Sequence, residues 1–289
     1  WLLFTRVLSS RIVAVVAAIC GVASVVYVRG RAVEWDLEDL RPFAEQEASA
    51  ALGRPVRVGR ITGNLFRGIT LHGLSIGRVA ADGGTGDLLT MERVVVRYSL
   101  WAVIGGRVSF QRSIQRVEVL RPRGEIRKLK DGSWQLTRYV KQKKEKKKPK
   151  VADRFAGIIQ VYEGDLRFCD ESTPPGPGGQ PLDYRGTGVD AIVDCHEVGL
   201  TQGTATMAIV DVADRATLTV RYLSQGNVID ILADADGLRG DALFEWVVAD
   251  DDPSFRFLAG TIPHVKAGFT WSDSASIEYF ARGEVDGVQ

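Results

Sequence analysis

From Pro55 onward the apolar residues of this chain recur at every second position, a spacing that suits a half-buried strand and no helix. Val94, Val96 and Tyr98 share one parity, with Val95 and Arg97 between them. Val117 and Val119 flank Glu118, and Leu166 and Phe168 flank Arg167. Leu218, Val220 and Tyr222 alternate with Thr219 and Arg221. Val265, Ala267, Phe269 and Trp271 follow the same rule, as do Ile277, Tyr279 and Ala281. Short runs of this kind, bounded by Gly, Asp and Asn and without a long helical pattern between them, predict a mainly β chain built on a long antiparallel sheet. At Gly59 and at His72-Gly73 the apolar parity flips, which reads as β-bulges.

One face of each strand is therefore greasy and the other charged or hydroxylated. Two architectures use that pattern. A sandwich closes the greasy faces on each other, whereas a long curved sheet leaves them lining a groove. Periodicity alone fits both.

Before the strands, Ile12 to Val28 reads IVAVVAAICGVASVVYV, seventeen residues without a charge. As a helix it would reach roughly 26 Å, nearly the hydrocarbon core of a bilayer, with Arg11 and Arg29 able to snorkel outward from its ends. Four apolar residues, Val25 to Val28, follow the candidate cleavage site at Ala23-Ser24, and Ile19 is too large to precede a lipidated Cys20. Residues 1–32 are thus expected to be an uncleaved single-span anchor, with the bulk of the chain beyond it. Leu37, Leu40, Phe43, Ala44, Ala48 and Leu52 then predict an amphipathic helix over 33–53, stopped by Gly53 and Pro55.

Charge divides the chain. Residues 1–150 hold 28 Lys+Arg against 13 Asp+Glu, and residues 151–289 hold 9 against 23, although the net charge is only +1. Much of the basic excess is KQKKEKKKPK at 141–150, which cannot pack and reads as an exposed loop over 141–153. It separates a first β segment, 54–140, from a second, 154–289. Without interleaved aromatics or a recognition helix, the lysines do not argue for nucleic acid. PPGPGGQP, from Pro174 to Pro181, is a second loop.

Catalysis has no evident apparatus, and no enzyme activity, cofactor or metal is expected. The three histidines, His72, His196 and His264, show no metal-ligand spacing. Asp194-Cys195-His196 is tempting as a nucleophile with its base, but neighbours on one strand diverge. Asp250-Asp251-Asp252 lacks the glycine and later carboxylate of a calcium loop. Cys169 and Cys195 are either a pair or two free thiols.

Certain phrases, taken in order, resemble a known family. They are ALGRPVRVGRITGNLFRGITLHGLSIG (51–77), LLTMERVVVRYSLWAVIGG (88–106), IQRVEVLRPRGEIRKLKDGSWQL (114–136) and FAGIIQVYEGDLRFCDES (155–172). Behind a single anchor, this succession resembles the AsmA-like superfamily, most closely its TamB branch; residues 173–289 match only as repeated short strands. The resemblance implies a U-shaped β-groove with an apolar inner face. It implies an inner-membrane protein with its bulk in the periplasm, bridging inner and outer membranes. Phospholipid acyl chains would be its cargo, an outer-membrane TamA/BamA-like protein its partner, and outer-membrane protein translocation and assembly a linked role. The residues expected to line the groove are the alternating set, Val94, Val96, Tyr98, Val117, Val119, Leu166, Phe168, Leu218, Val220, Tyr222, Val265, Phe269, Trp271, Ile277 and Tyr279. The alternative is a membrane-tethered β-sandwich acting as a passive scaffold for protein–protein interaction. A start without Met and an end at Val288-Gln289 in mid-pattern read as the N-terminal portion of a longer chain.

Overall fold

The computed structural model describes residues 35–64, 68–78, 86–99, 113–132, 155–172, 182–225, 227–239, 260–272 and 275–286, the last of these by backbone alone. The anchor segment, the lysine run, the Pro174–Pro181 loop and Asp250–Asp252 lie outside the described residues. No helix among the described residues is long and apolar enough to cross a membrane.

The strands are β1 (Trp35–Asp36), β2 (Val56–Asn64), β3 (Gly68–Gly77), β4 (Asp87–Tyr98), β5 (Ile114–Leu120), β6 (Arg123–Lys128) and β7 (Ile158–Asp170). They continue with β8 (Leu182–Asp194), β9 (Leu200–Ile209), β10 (Ala213–Leu223), β11 (Val228–Arg239), β12 (Thr261–Ser272) and β13 (Ala275–Asp286). All thirteen belong to one sheet, laid side by side in chain order. The period-two pattern thus yields strands, as expected.

The sheet is mixed, which corrects the expectation of a purely antiparallel one. β5 and β6 are two pieces of one line between β4 and β7, antiparallel to β4 and parallel to β7. Pro122 has no N–H to give the ladder and so breaks that line between Leu120 and Arg123. A parallel neighbour needs a long return connection, which residues 129–157 supply. Gly132 closes a turn by donating its N–H to the Leu129 carbonyl, 2.8 Å away. The Asp131-Gly132 pair thus sits in a turn, and the residues just after it lie outside the described ones.

The parity flips also have a different cause from an ordinary bulge. Gly59 stands across from Gly73 and the register of β2 on β3 continues unbroken past them. The same rung continues through Glu92 and Arg121 to Glu163, again without slippage between strands. Gly73, Arg121 and Glu163 all have positive φ, 60°, 48° and 53°. Several neighbouring strands therefore take their extra step together, which resets side-chain alternation while leaving their pairing intact. At this step the register first shifts between β7 and β8, where Gly188 has φ 61°.

Residues 34–52 are not one helix. Trp35 and Asp36 pair with β2, a single 3-10 turn follows at Glu38–Leu40, and α1 runs from Arg41 to Leu52. Gly53 caps it at φ 66°, as the stop signal predicts. The helix lies along the outer edge of β2 and covers it with polar side chains. The Val56, Val58 and Ile61 N–H groups donate to Ser49 Oγ, Glu45 Oε1 and Glu38 Oε1 at 2.9, 2.7 and 3.2 Å. Leu40, Phe43 and Leu52 remain exposed. An open strand edge costs unsatisfied donors, and here side chains rather than another strand satisfy them.

Burial is sparse for so large a sheet. Val56, Val58 and Ile61 are buried on β2, and Ala213, Leu238 and Ile262 form a small cluster with Ile209, Val212, Ala235 and Val265. Among the described residues the elements that pack together are sheet neighbours, joined only by α1 and the 3-10 turn on β2.

Candidate functional site

The register converts local alternation into rows that cross the sheet. One row runs Ile69, Val96, Val117, Ile159, Val193, Gly203, Val220, Ile231, Phe269 and Tyr279, each directly opposite the next. The adjacent row runs Leu71, Val94, Val119, Val161, Ala191, Ala205, Leu218, Ala233, Ala267 and Ala281. Neither row contains a charged residue, and only Tyr279 carries a polar group. Nine strand spacings of ~4.8 Å make each about 43 Å long.

Val94, Val96, Val117, Val119, Leu218, Val220, Phe269 and Tyr279 thus fall into these two rows. Tyr222 and Trp271 stand one rung outside them, each opposite Ile229. Val265, opposite Ala235 and Gly283, stands one rung on the other side. Leu166 and Phe168 lie past the Glu163 step, paired with Gly186 and Tyr184, and the extra residue returns them to the apolar face. Tyr98 pairs with Ile114 after a register shift. For Ile277 only its place on β13 is described. The rows also hold Ile159, Val161, Ala191, Val193, Ile231 and Ala233, which the sequence pattern did not single out.

Part of this face is open, although Val94 is buried. Leu218, Tyr222 and Phe269 keep 38%, 36% and 37% of their surface open to solvent. Large apolar side chains left open in a contiguous band are unusual unless something greasy occupies them.

The opposite face is held by ion pairs. Arg127 binds both Glu125 and Glu171, and Arg78 binds Glu125 at 3.1 Å. Arg167–Asp183 and Arg185–Asp165 bridge β7 and β8. Arg121, on the step rung, joins Glu92 at 3.1 Å to Glu163 at 2.7 Å. Cross-strand pairs of opposite charge suit the polar side of a sheet whose other side is apolar.

Glu125 is largely buried, with 15% of its side chain exposed. Burial pushes its carboxyl up, but the Arg127 hydrogen bond and the Arg78, Arg127 and Arg167 charges outweigh that, so its pKa lies below the usual value. A depressed carboxylate stabilises the fold above its unfolded pKa, and that contribution is lost as pH falls through the folded value. Glu125→Gln is therefore expected to cost roughly 1.5–3 kcal/mol in urea unfolding at pH 7, and the difference should shrink as the pH falls below the usual carboxylate range.

Two sequence readings change. β8 ends at Asp194, so Cys195 and His196 lie in the following turn and both line a shallow pocket of about 230 Å³ with Phe155, Leu200, Tyr222 and Ser224. The divergence expected of strand neighbours does not apply. His196 Nδ1 nevertheless engages Asp194 Oδ1 at 2.8 Å, and the thiol of Cys195 is free. Cys169, opposite Asp183, sits at the other end of the same strand pair from Cys195, far beyond the ~7 Å a disulfide tolerates. Both are free thiols.

The fold also gathers residues that spacing hid. His264 on β12 meets Asp234 and Asp236 on β11, with their donor atoms all within 4.8 Å. No short motif joins them, because strand pairing brings them together.

No protein-family model matches the chain, and a search of curated proteins also finds no match. The functional reading therefore rests on the sheet itself and on the phrases in the sequence.

Proposed function

We propose that the chain is an envelope protein of the AsmA-like, TamB-like type, anchored in the inner membrane by residues 12–28, with its sheet in the periplasm. The apolar face conducts phospholipid acyl chains toward the outer membrane. The same face can shield strands of outer-membrane polypeptides, with a TamA/BamA-like protein as the receiving partner. The observation that carries this reading is the pair of apolar rows, continuous from β3 to β13, with Leu218 and Phe269 more than a third open to solvent.

The physical need is clear. A diacyl lipid exposes roughly thirty methylenes at about 0.8 kcal/mol each, so leaving a bilayer for water costs ~24 kcal/mol. A continuous apolar face lets the chains slide with little net change, while the headgroup stays in water. No covalent chemistry is required.

The passive scaffold reading needs the greasy faces closed on each other. The exposure of Leu218, Tyr222 and Phe269 favours the open face. Photocrosslinking from a diazirine side chain at Phe269 tests the choice. Adducts with phospholipid are expected from Phe269, and none from position 219 on the opposite face. Adducts from neither position, or equally from both, would reject a lipid-bearing face.

A further inference from the structure

We infer that Asp234, Asp236 and His264 form a binding site for a first-row divalent metal ion of the Zn²⁺ class, on the face opposite the apolar rows. Asp234 and Asp236 are two positions apart on β11, so both project from that face. His264 stands directly across from Asp236 on β12. Its Nδ1 lies 2.9 Å from Asp236 Oδ1 and 3.6 Å from Asp234 Oδ1. Donors held ~2.0–2.1 Å from a tetrahedral ion are about 3.4 Å apart, a value these two distances bracket. The metal would replace the proton shared at Nδ1, with little movement of either strand.

The donor set also selects the ion. An imidazole nitrogen with two carboxylates suits Zn²⁺ and its neighbours, whereas Ca²⁺ and Mg²⁺ call for oxygen alone. Lys266 and Arg215 stand opposite Asp234 and Asp236 on the flanking strands, so the local field is not strongly acidic. Binding then depends on directed donors rather than on bulk negative charge. Glu284 on β13 is directly opposite His264 in register, which places a further carboxylate residue on the rung of His264 and Asp236. Such an ion would staple β11 to β12 beneath the apolar rows and stiffen the sheet there.

The test is calorimetric titration of the purified full chain, stripped of metal by chelation, with ZnCl₂ and separately with CaCl₂. One equivalent of Zn²⁺ should bind, Ca²⁺ should not, and the thermal midpoint should rise with Zn²⁺. Asp236→Asn, Asp234→Asn and His264→Ala should each weaken binding about tenfold or more. His196→Ala and Asp230→Asn should leave it unchanged. Co²⁺ in place of Zn²⁺ should give visible absorption that His264→Ala abolishes, a readout independent of stability. Circular dichroism of each variant separates a lost ligand from a lost fold. No saturable Zn²⁺ binding, or binding indifferent to His264→Ala in a folded chain, overturns the proposal.

Discussion

Changing Leu218, Val220 and Phe269 together to Asp is expected to strip co-purifying phospholipid from the chain by about tenfold or more, while the protein stays in the membrane fraction. These three side chains lie in the two apolar rows on β10 and β12. Leu218 and Phe269 are more than a third open, so the sheet does not depend on them as it would on a closed core. A carboxylate laid against an acyl chain must be desolvated without a partner, at a cost of several kcal/mol per group. Three in a short stretch interrupt the path. Thr217→Asp, Thr219→Asp and Thr270→Asp on the other face serve as the matched control and should retain the lipid. Lipid extracted per mole of protein, measured by mass spectrometry, decides it; equal lipid in the two triple variants would remove the basis for a conduit.

The largest effect on stability is expected at Gly68. Its φ is 107°, and a Cβ built there would meet the Val96 carbonyl oxygen at 2.0 Å. That contact is with the backbone of the neighbouring strand, so no rotamer relieves it, and β3 would have to part from β4 at the start of the apolar rows. Gly68→Ala should cost roughly 3–4 kcal/mol, a backbone strain of one to three with the clash added. Gly132→Ala is the comparison. Its φ is also positive, at 76°, but no atom lies within 4 Å of the added methyl, so about 1 kcal/mol is expected. Urea unfolding followed by circular dichroism separates the two. Similar losses at both sites would mean that φ alone matters and that the Val96 approach does not.

Strand character was legible because it is local. Alternation such as Val94, Val96 and Val117, Val119 needs only a side chain's preference for one face of its own strand. The stop at Gly53 and the break at Pro122 were equally readable, since each follows from one residue's own backbone limits. The helix was legible only in part. Its periodicity predicted a buried stripe, yet Leu40 and Phe43 are exposed while Glu45 and Ser49 serve the sheet. Nothing in the spacing shows that an edge strand has donors to satisfy.

Amino-acid order by itself determined that this chain would form strands with one apolar side, because that preference is decided residue by residue. Only tertiary structure decided which strands lie together, that β5 and β6 run parallel to β7, and that apolar fragments line up from Ile69 to Tyr279. Register depends on hydrogen bonds between segments distant in the chain. The same long-range pairing brings His264 to Asp236 and holds Cys169 and Cys195 apart. Local periodicity carries no record of either.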